Sequence, residues 1–198
     1  MAHLFLKWIL YPVMRLFFVR QINGIKNIPK KESYILAFNH ASYIDGALII
    51  LTWLWHKNEM VHTVMMKPMF RNWFRKLIFK TWLDQVSVNG SVHEAIEYLI
   101  HGKIIGIAPE GGRTYTGKIM KPAGTGLGVM ALETRKPIVP IGIKGTFELW
   151  PRYNRFPKLK RTVEINIGKP IMFKGRTTRQ KAKQITQQVL NRIKKLTQ

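Results

Sequence analysis

Residues 33–46 read Ser33-Tyr34-Ile35-Leu36-Ala37-Phe38-Asn39-His40-Ala41-Ser42-Tyr43-Ile44-Asp45-Gly46, SYILAFNHASYIDG. The first six residues are a short apolar run, which reads as a buried strand. The next six are polar and turn-forming, and a helical pattern over 45–56 follows. Strand, polar loop and helix in that order predict an α/β unit. The pattern continues outward. VHTVMM (61–66), IIGIA (104–108), PIVPIGI (137–143) and TVEINIG (162–168) read as further strands. Helical patterns fall near 68–80, 91–101, 124–135 and 178–197. Ser91 and Glu94 have capping-box spacing, and Gly102 suits the end of that helix. In the last segment Ala182, Ile185, Val189, Ile193 and Leu196 recur at three- and four-residue steps, one apolar face of a helix. The expected fold class is α/β: a single domain with a mixed, largely parallel central sheet flanked by helices. In such sheets ligands gather outside the carboxyl ends of the strands. Two polar loops fall there, NHASYID after 38 and PEGGRTYTG after 108.

A chain of 198 residues, 46% hydrophobic, is long enough to bury a core. Without cysteine it has no disulfide, no thiolate metal site and no thiol nucleophile. Its 33 Lys and Arg against 10 Asp and Glu give a formal charge of +23. That charge calls for an anionic partner: a nucleic acid, an anionic membrane surface or a phosphorylated substrate.

The N-terminus distinguishes among them. Residues 3–19 contain twelve large apolar residues. On a helix, His3, Lys7, Tyr11 and Arg15 line up at i+4 spacing as one polar stripe. Two charges and Pro12 make the run a poor transmembrane span, which wants roughly 20 mostly apolar residues. Nor does a small-residue cleavage site follow it. Residues 1–20 therefore read as an amphipathic helix segment, kinked or restarted at Pro12 and lying in a membrane interface. The competing reading packs this helix on the domain's own core. Residues 21–198 form the domain proper.

In the first loop, a neutral His40 at a strand end can accept a proton from a hydroxyl if a partner holds its other ring nitrogen. Asp45, five residues on, can be that partner. The alternative is that Asn39, Ser42 or Asp45 caps the helix and His40 is incidental. In the second loop, Gly111 and Gly112 let backbone N–H groups approach an oxyanion, and Arg113 can grip a phosphate. A plain turn with a solvated arginine is the alternative there.

Together, the His40-x-x-x-x-Asp45 spacing and the later Pro109-Glu110-Gly111-Gly112-Arg113 block resemble the glycerolipid acyltransferase family, the lysophosphatidic acid and glycerol-3-phosphate acyltransferases. MMKPMFRNWFRKLIF (65–79) is similar to that family's lysine-containing stretch. KPAGTGLGVMALETRKPIVPIGIKGT (121–146) is similar to its glycine-rich helix and the strand after it, with Pro140 and Ile141 in the motif. The resemblance covers about residues 22–170. Two positions depart from the family pattern: Gln85 stands where an arginine is usual, and Gly112 where a threonine is usual.

What the resemblance implies is O-acyl transfer from a thioester, acyl-CoA or acyl-carrier protein, to the hydroxyl of a lysophospholipid. The leading acceptor is 1-acyl-sn-glycerol-3-phosphate, giving phosphatidic acid, with glycerol-3-phosphate or another lysolipid as alternatives. By that analogy His40 is the general base and Asp45 orients it. Lys67, Arg113 and the Gly111–Gly112 backbone hold the acceptor's phosphate, and Glu110 positions Arg113 or the loop. Neither a cofactor nor a metal is expected. The implied setting is monotopic, on the cytoplasmic face of an anionic membrane. A basic nucleic-acid-binding protein is the alternative from another class, although no nucleic-acid-binding motif supports it. A lipid hydrolase ranks third, for want of a G-x-S-x-G elbow.

Overall fold

Side chains of strand β2 (Ile35–Phe38) point alternately into two apolar layers. Every residue of it is buried, as in a sheet covered on both faces. The computed structural model describes residues 2–30, 33–64 and 92–198. Within them lie a helical segment over 2–17 (α1), β1 (Val19–Asn23), β2, α2 (Asp45–Lys57), β3 (Val61–Thr63) and α3 (Val92–Ile100). After these come β4 (Ile104–Ile107), α4 (Gly126–Thr134), β5 (Ile138–Lys144), the short α5 (Thr146–Leu149), β6 (Val163–Ile167) and α6 (Arg179–Leu196).

The six strands form one sheet in the order β1-β6-β5-β2-β4-β3. β5, β2, β4 and β3 run parallel, β6 is antiparallel to β5, and β1 is parallel to β6. The sheet is mixed and largely parallel, as the strand–helix alternation predicts. Leu36 and Phe38 face a layer built with Leu48, Ile49 and Trp53 of α2. Ile35 and Ala37 face the opposite layer, with α3, α4 and α6. The indole N–H of Trp53, fully buried, donates to Tyr34 Oη at 2.9 Å, so the ring fills core volume without leaving a polar orphan. On α6 the buried Ala182, Ile185, Val189 and Ile193 are the periodic set read from the sequence.

α3 closes with Gly102 at φ +81°. Gly102 N–H donates to the Leu99 carbonyl and Lys103 N–H to the Tyr98 carbonyl, the paired bonds of a glycine-terminated helix. The expected cap Ser91 and the expected helix over 68–80 lie outside the described residues, as do Lys67 and Gln85.

α1 changes pitch along its length. It is α-helical at Ala2–Phe5, π-helical at Leu6–Leu10 and α-helical again at Tyr11–Phe17, with Pro12 in the restarted first turn. Because helical turns precede it, the proline removes one N–H donor at this change of pitch. The polar stripe turns toward the domain. Lys7 Nζ donates to Asn58 Oδ1 at 2.8 Å, Tyr11 Oη meets His56 Nε2 at 3.4 Å, and Arg15 Nη1 donates to the Val19 carbonyl at 2.6 Å. Leu6 and Tyr11 are buried against Leu51 and Leu54 of α2. Leu4, Trp8, Ile9 and Leu16 face outward, each more than half exposed. One edge of the helix packs on the domain, and the broad apolar face is left uncovered. No described helix is long and apolar enough to cross a membrane.

Strand β1 has no counterpart among the expected strands. It is an edge strand whose buried Val19 pairs with Val163, and most of its other side chains are exposed.

Candidate active site

β2 lies between β4 and β5, all three parallel, so the loops leaving their carboxyl ends meet. The chain passes from β2 through α2 to β3 on one side of β2, and from β4 through α4 to β5 on the other. This is the crevice where α/β sheets bind ligands. Asn39 fixes the first loop to β5. Its Oδ1 accepts Ile143 N–H at 2.7 Å and its Nδ2 donates to the Ile143 carbonyl at 2.9 Å. Asn39 therefore does not cap α2.

Asp45 does not cap it either. It is the first residue of α2, fully buried, and its carboxylate points back into the loop. Oδ2 accepts Ala41 N–H at 2.7 Å, Ser42 N–H at 2.7 Å and His40 Nδ1 at 3.0 Å. A carboxylate can only accept, so Nδ1 of His40 carries a proton, and in the neutral imidazole Nε2 presents its lone pair. Nε2 has no partner among the described residues, and about a quarter of the His40 side chain is open to solvent. Ser42 Oγ donates to the Trp150 carbonyl at 2.7 Å and accepts the Ile44 N–H at 3.5 Å.

Glu110 joins the two loops. Its Oε1 accepts His40 N–H at 2.8 Å and its Oε2 accepts Met120 N–H at 2.6 Å. Burial holds its carboxyl above the ordinary carboxylate range, although the two N–H bonds, Met120's and His40's, pull the other way. Thr114 N–H donates to the His40 carbonyl at 3.0 Å, a second stitch between the loops. Of the two roles expected for Glu110, positioning the loop is the one these contacts describe.

Gly111 sits at φ +70° and spends its N–H on the Ala108 carbonyl. A Cβ there would come within 2.5 Å of Ala123 Cβ. Gly112 is open space by contrast, and its N–H has no partner among the described residues. Of the two glycine N–H groups expected to face an anion, Gly112 holds the uncommitted one. Arg113 lies with its Cζ 3.5 Å from the centre of the Tyr43 ring. Its buried Nη1 has no partner among the described residues. The ring orients the guanidinium, and an unpaired Nη1 of this kind can donate to an anion.

The sequence reading did not single out Tyr43, Trp150 or Arg152. Tyr43 stacks on Arg113, the Trp150 carbonyl holds Ser42, and Arg152 Nη1 donates to the Arg113 carbonyl at 3.1 Å. Tyr43 lay inside the quoted stretch, but its contact to Arg113 spans seventy residues and has no local signal. Among the described residues, no three His, Cys, Asp or Glu side chains gather as a metal site.

A model of the acyltransferase family matches residues 19–144, more than half of the chain and both loops. Among solved structures, the 1-acyl-sn-glycerophosphate (LPA) acyltransferase PlsC from Thermotoga maritima is similar at a TM-score of 0.70 and 25% sequence identity. That match covers 93% of this chain and 74% of the PlsC chain.

Proposed function

This chain belongs to the acyltransferase family, and from that premise we propose that it moves a fatty acyl group from acyl-CoA or acyl-carrier protein to a lysophospholipid hydroxyl. The acceptor we assign is 1-acyl-sn-glycerol-3-phosphate, with phosphatidic acid as product. The similarity to PlsC, a 1-acyl-sn-glycerophosphate acyltransferase, supports the assignment. The observation that carries the chemistry is the 3.0 Å contact between His40 Nδ1 and the buried Asp45. His40 Nε2 takes the acceptor's hydroxyl proton while the hydroxyl oxygen attacks the thioester carbonyl carbon. Asp45 steadies the imidazolium that forms. The tetrahedral intermediate then collapses, the C–S bond breaks, and the thiolate leaves with the proton from Nε2. No acyl-enzyme intervenes. Arg113, the Gly112 N–H and Lys67 hold the acceptor's phosphate. Neither a cofactor nor a metal takes part, and acyl-CoA or acyl-carrier protein is a substrate.

The setting we propose is the cytoplasmic face of an anionic membrane. The exposed side of α1 lies in the interface, and the +23 charge draws the chain to anionic lipid. The test is acyl transfer from labelled acyl-CoA to a panel of lysolipids and glycerol-3-phosphate, read by mass spectrometry. His40→Ala lowers turnover by about 10²–10⁴-fold, while thermal melting and vesicle binding stay as in the parent. Near-full activity in that variant refutes the mechanism, and the panel names the acceptor. Steep, salt-dependent binding to DNA or RNA without vesicle binding would favour the nucleic-acid reading instead.

A further inference from the structure

Residues 151–161, between α5 and β6, read PRYNRFPKLKR, with five cations and no acid. They form no helix or strand. The base of this loop is fixed: Lys158 N–H donates to the Leu149 carbonyl at 2.9 Å, and the Trp150 indole to the Asn154 carbonyl at 3.0 Å. Its outer residues are presented rather than packed. Tyr153, Phe156 and Leu159 are 66%, 69% and 80% exposed, and Arg155, Lys158 and Lys160 between them are exposed as well.

The loop's anchors tie it to two other parts of the molecule. On one side Arg152 holds the Arg113 carbonyl and the Trp150 carbonyl holds Ser42, so the loop rests on both site loops. On the other side Arg161 Nε donates to the Val19 carbonyl at 3.0 Å, the same oxygen that Arg15 of α1 binds. Val163 N–H donates to the Phe18 carbonyl at 2.9 Å. A cavity of about 630 Å³ opens at this junction, lined by Leu16 and Trp55 with Arg15 and Arg161. The uncovered face of α1, the junction and the loop are thus joined end to end, and the loop ends beside Arg113.

We propose that loop 151–161 is a second lipid-contacting element. Phe156 and Leu159 enter the headgroup region of an anionic leaflet, Arg155, Lys158 and Lys160 engage its phosphates, and the mouth of the His40 site is held against the surface that supplies the acceptor. The inference rests on the membrane setting proposed above. Alternating apolar and basic residues suit a boundary with water on one side and lipid on the other. The phosphates of a nucleotide-bearing donor are the competing occupant. They would use the cations but leave Phe156 and Leu159 in water.

The test compares the full chain with Phe156→Ser/Leu159→Ser. Partitioning is measured on phosphatidylcholine vesicles with and without phosphatidylglycerol, and turnover on lysolipid in detergent micelles. Partitioning falls by about tenfold or more, the scale of withdrawing one to two apolar side chains from lipid, while micellar turnover and the melting temperature stay unchanged. Arg155→Gln/Lys160→Gln loses about fivefold for each cation, on the anionic vesicles only. Unchanged partitioning in both variants, with parent binding intact, overturns the proposal. If instead the KM for acyl-CoA rises while partitioning holds, the loop belongs to the donor. A parent chain that binds no vesicles removes the membrane setting itself, and this inference with it, while leaving the His40 chemistry untouched.

Discussion

Between Asn39 and Asp45 the protein partners most of its polar groups; along α1 it leaves its apolar ones unmet. In the first region Asn39 bonds β5 twice, Asp45 accepts three bonds, and Glu110 and Thr114 stitch the loop to its neighbour. What remains unpaired there, among the described residues, includes His40 Nε2, the second Asp45 oxygen Oδ1, the Gly112 N–H and one Arg113 nitrogen. In the second region Lys7, Tyr11 and Arg15 of the polar stripe are partnered, and Leu4, Trp8, Ile9 and Leu16 stand in solvent. A catalytic site needs groups fixed before substrate arrives. A surface that meets lipid needs uncovered apolar area. One chain carries both fixed polar groups and uncovered apolar area, and perturbing each should leave the other intact.

After His40→Ala, the largest effect on the first region comes from Glu110→Gln. An amide can accept one of the two N–H groups that Glu110 now accepts, but its NH₂ turns a donor toward the other. The cost is about 1–3 kcal/mol for the buried donor left unmet. If the stitch to His40 is the one lost, a shift on the order of 1 Å costs about a hundredfold in turnover. Vesicle partitioning is unaffected. The measurement pairs a melting curve with a rate assay. A variant that melts lower yet turns over like the parent would show that Glu110 serves folding and not the placement of His40.

The reciprocal change is Leu4→Ser/Leu16→Ser on the exposed face of α1. Each side chain is about two-thirds exposed, so neither supports the core. Stability is expected to stay within about 0.5 kcal/mol, micellar turnover unchanged, and vesicle partitioning about tenfold weaker. Equal partitioning by variant and parent would remove α1 from the membrane contact and leave loop 151–161 to account for it.

How far each region was legible follows from the range of its contacts. α6 repeats its buried residues every three or four positions, and β2 is a continuous apolar run, so local pattern suffices. The His40–Asp45 spacing is local too, and the loop motifs name the residues. Glu110 is different, because its partners His40 and Met120 lie seventy and ten residues away. No periodicity predicts such a staple. β1 hides because an edge strand buries few side chains, and its sequence continues an apolar helix without a break. Loop 151–161 has no period at all. Its significance comes from what stands exposed around it, which a sequence does not contain.

A small effect is expected at Gly112, and its contrast with adjacent Gly111 separates loop geometry from ligand contact. Gly111 has φ +70° and would drive a Cβ against Ala123, so Gly111→Ala costs about 1–3 kcal/mol for a left-handed alanine, with the clash in addition. Gly112 has no positive φ and a Cβ there meets nothing within 4 Å. Gly112→Ala therefore stabilises by about 0.4–1 kcal/mol, through the entropy removed from the unfolded chain. Gly112→Thr restores the residue usual in the family, and its Cβ meets the same open space among the described residues. Its melting temperature should rise with that of Gly112→Ala. Its rate on each acceptor then reads the ligand side of the site, since a threonine hydroxyl beside Arg113 adds a donor where the glycine offers only its N–H. If both positions instead destabilise alike, the Gly112 backbone is as constrained as that of Gly111, and the open side of the anion cradle closes.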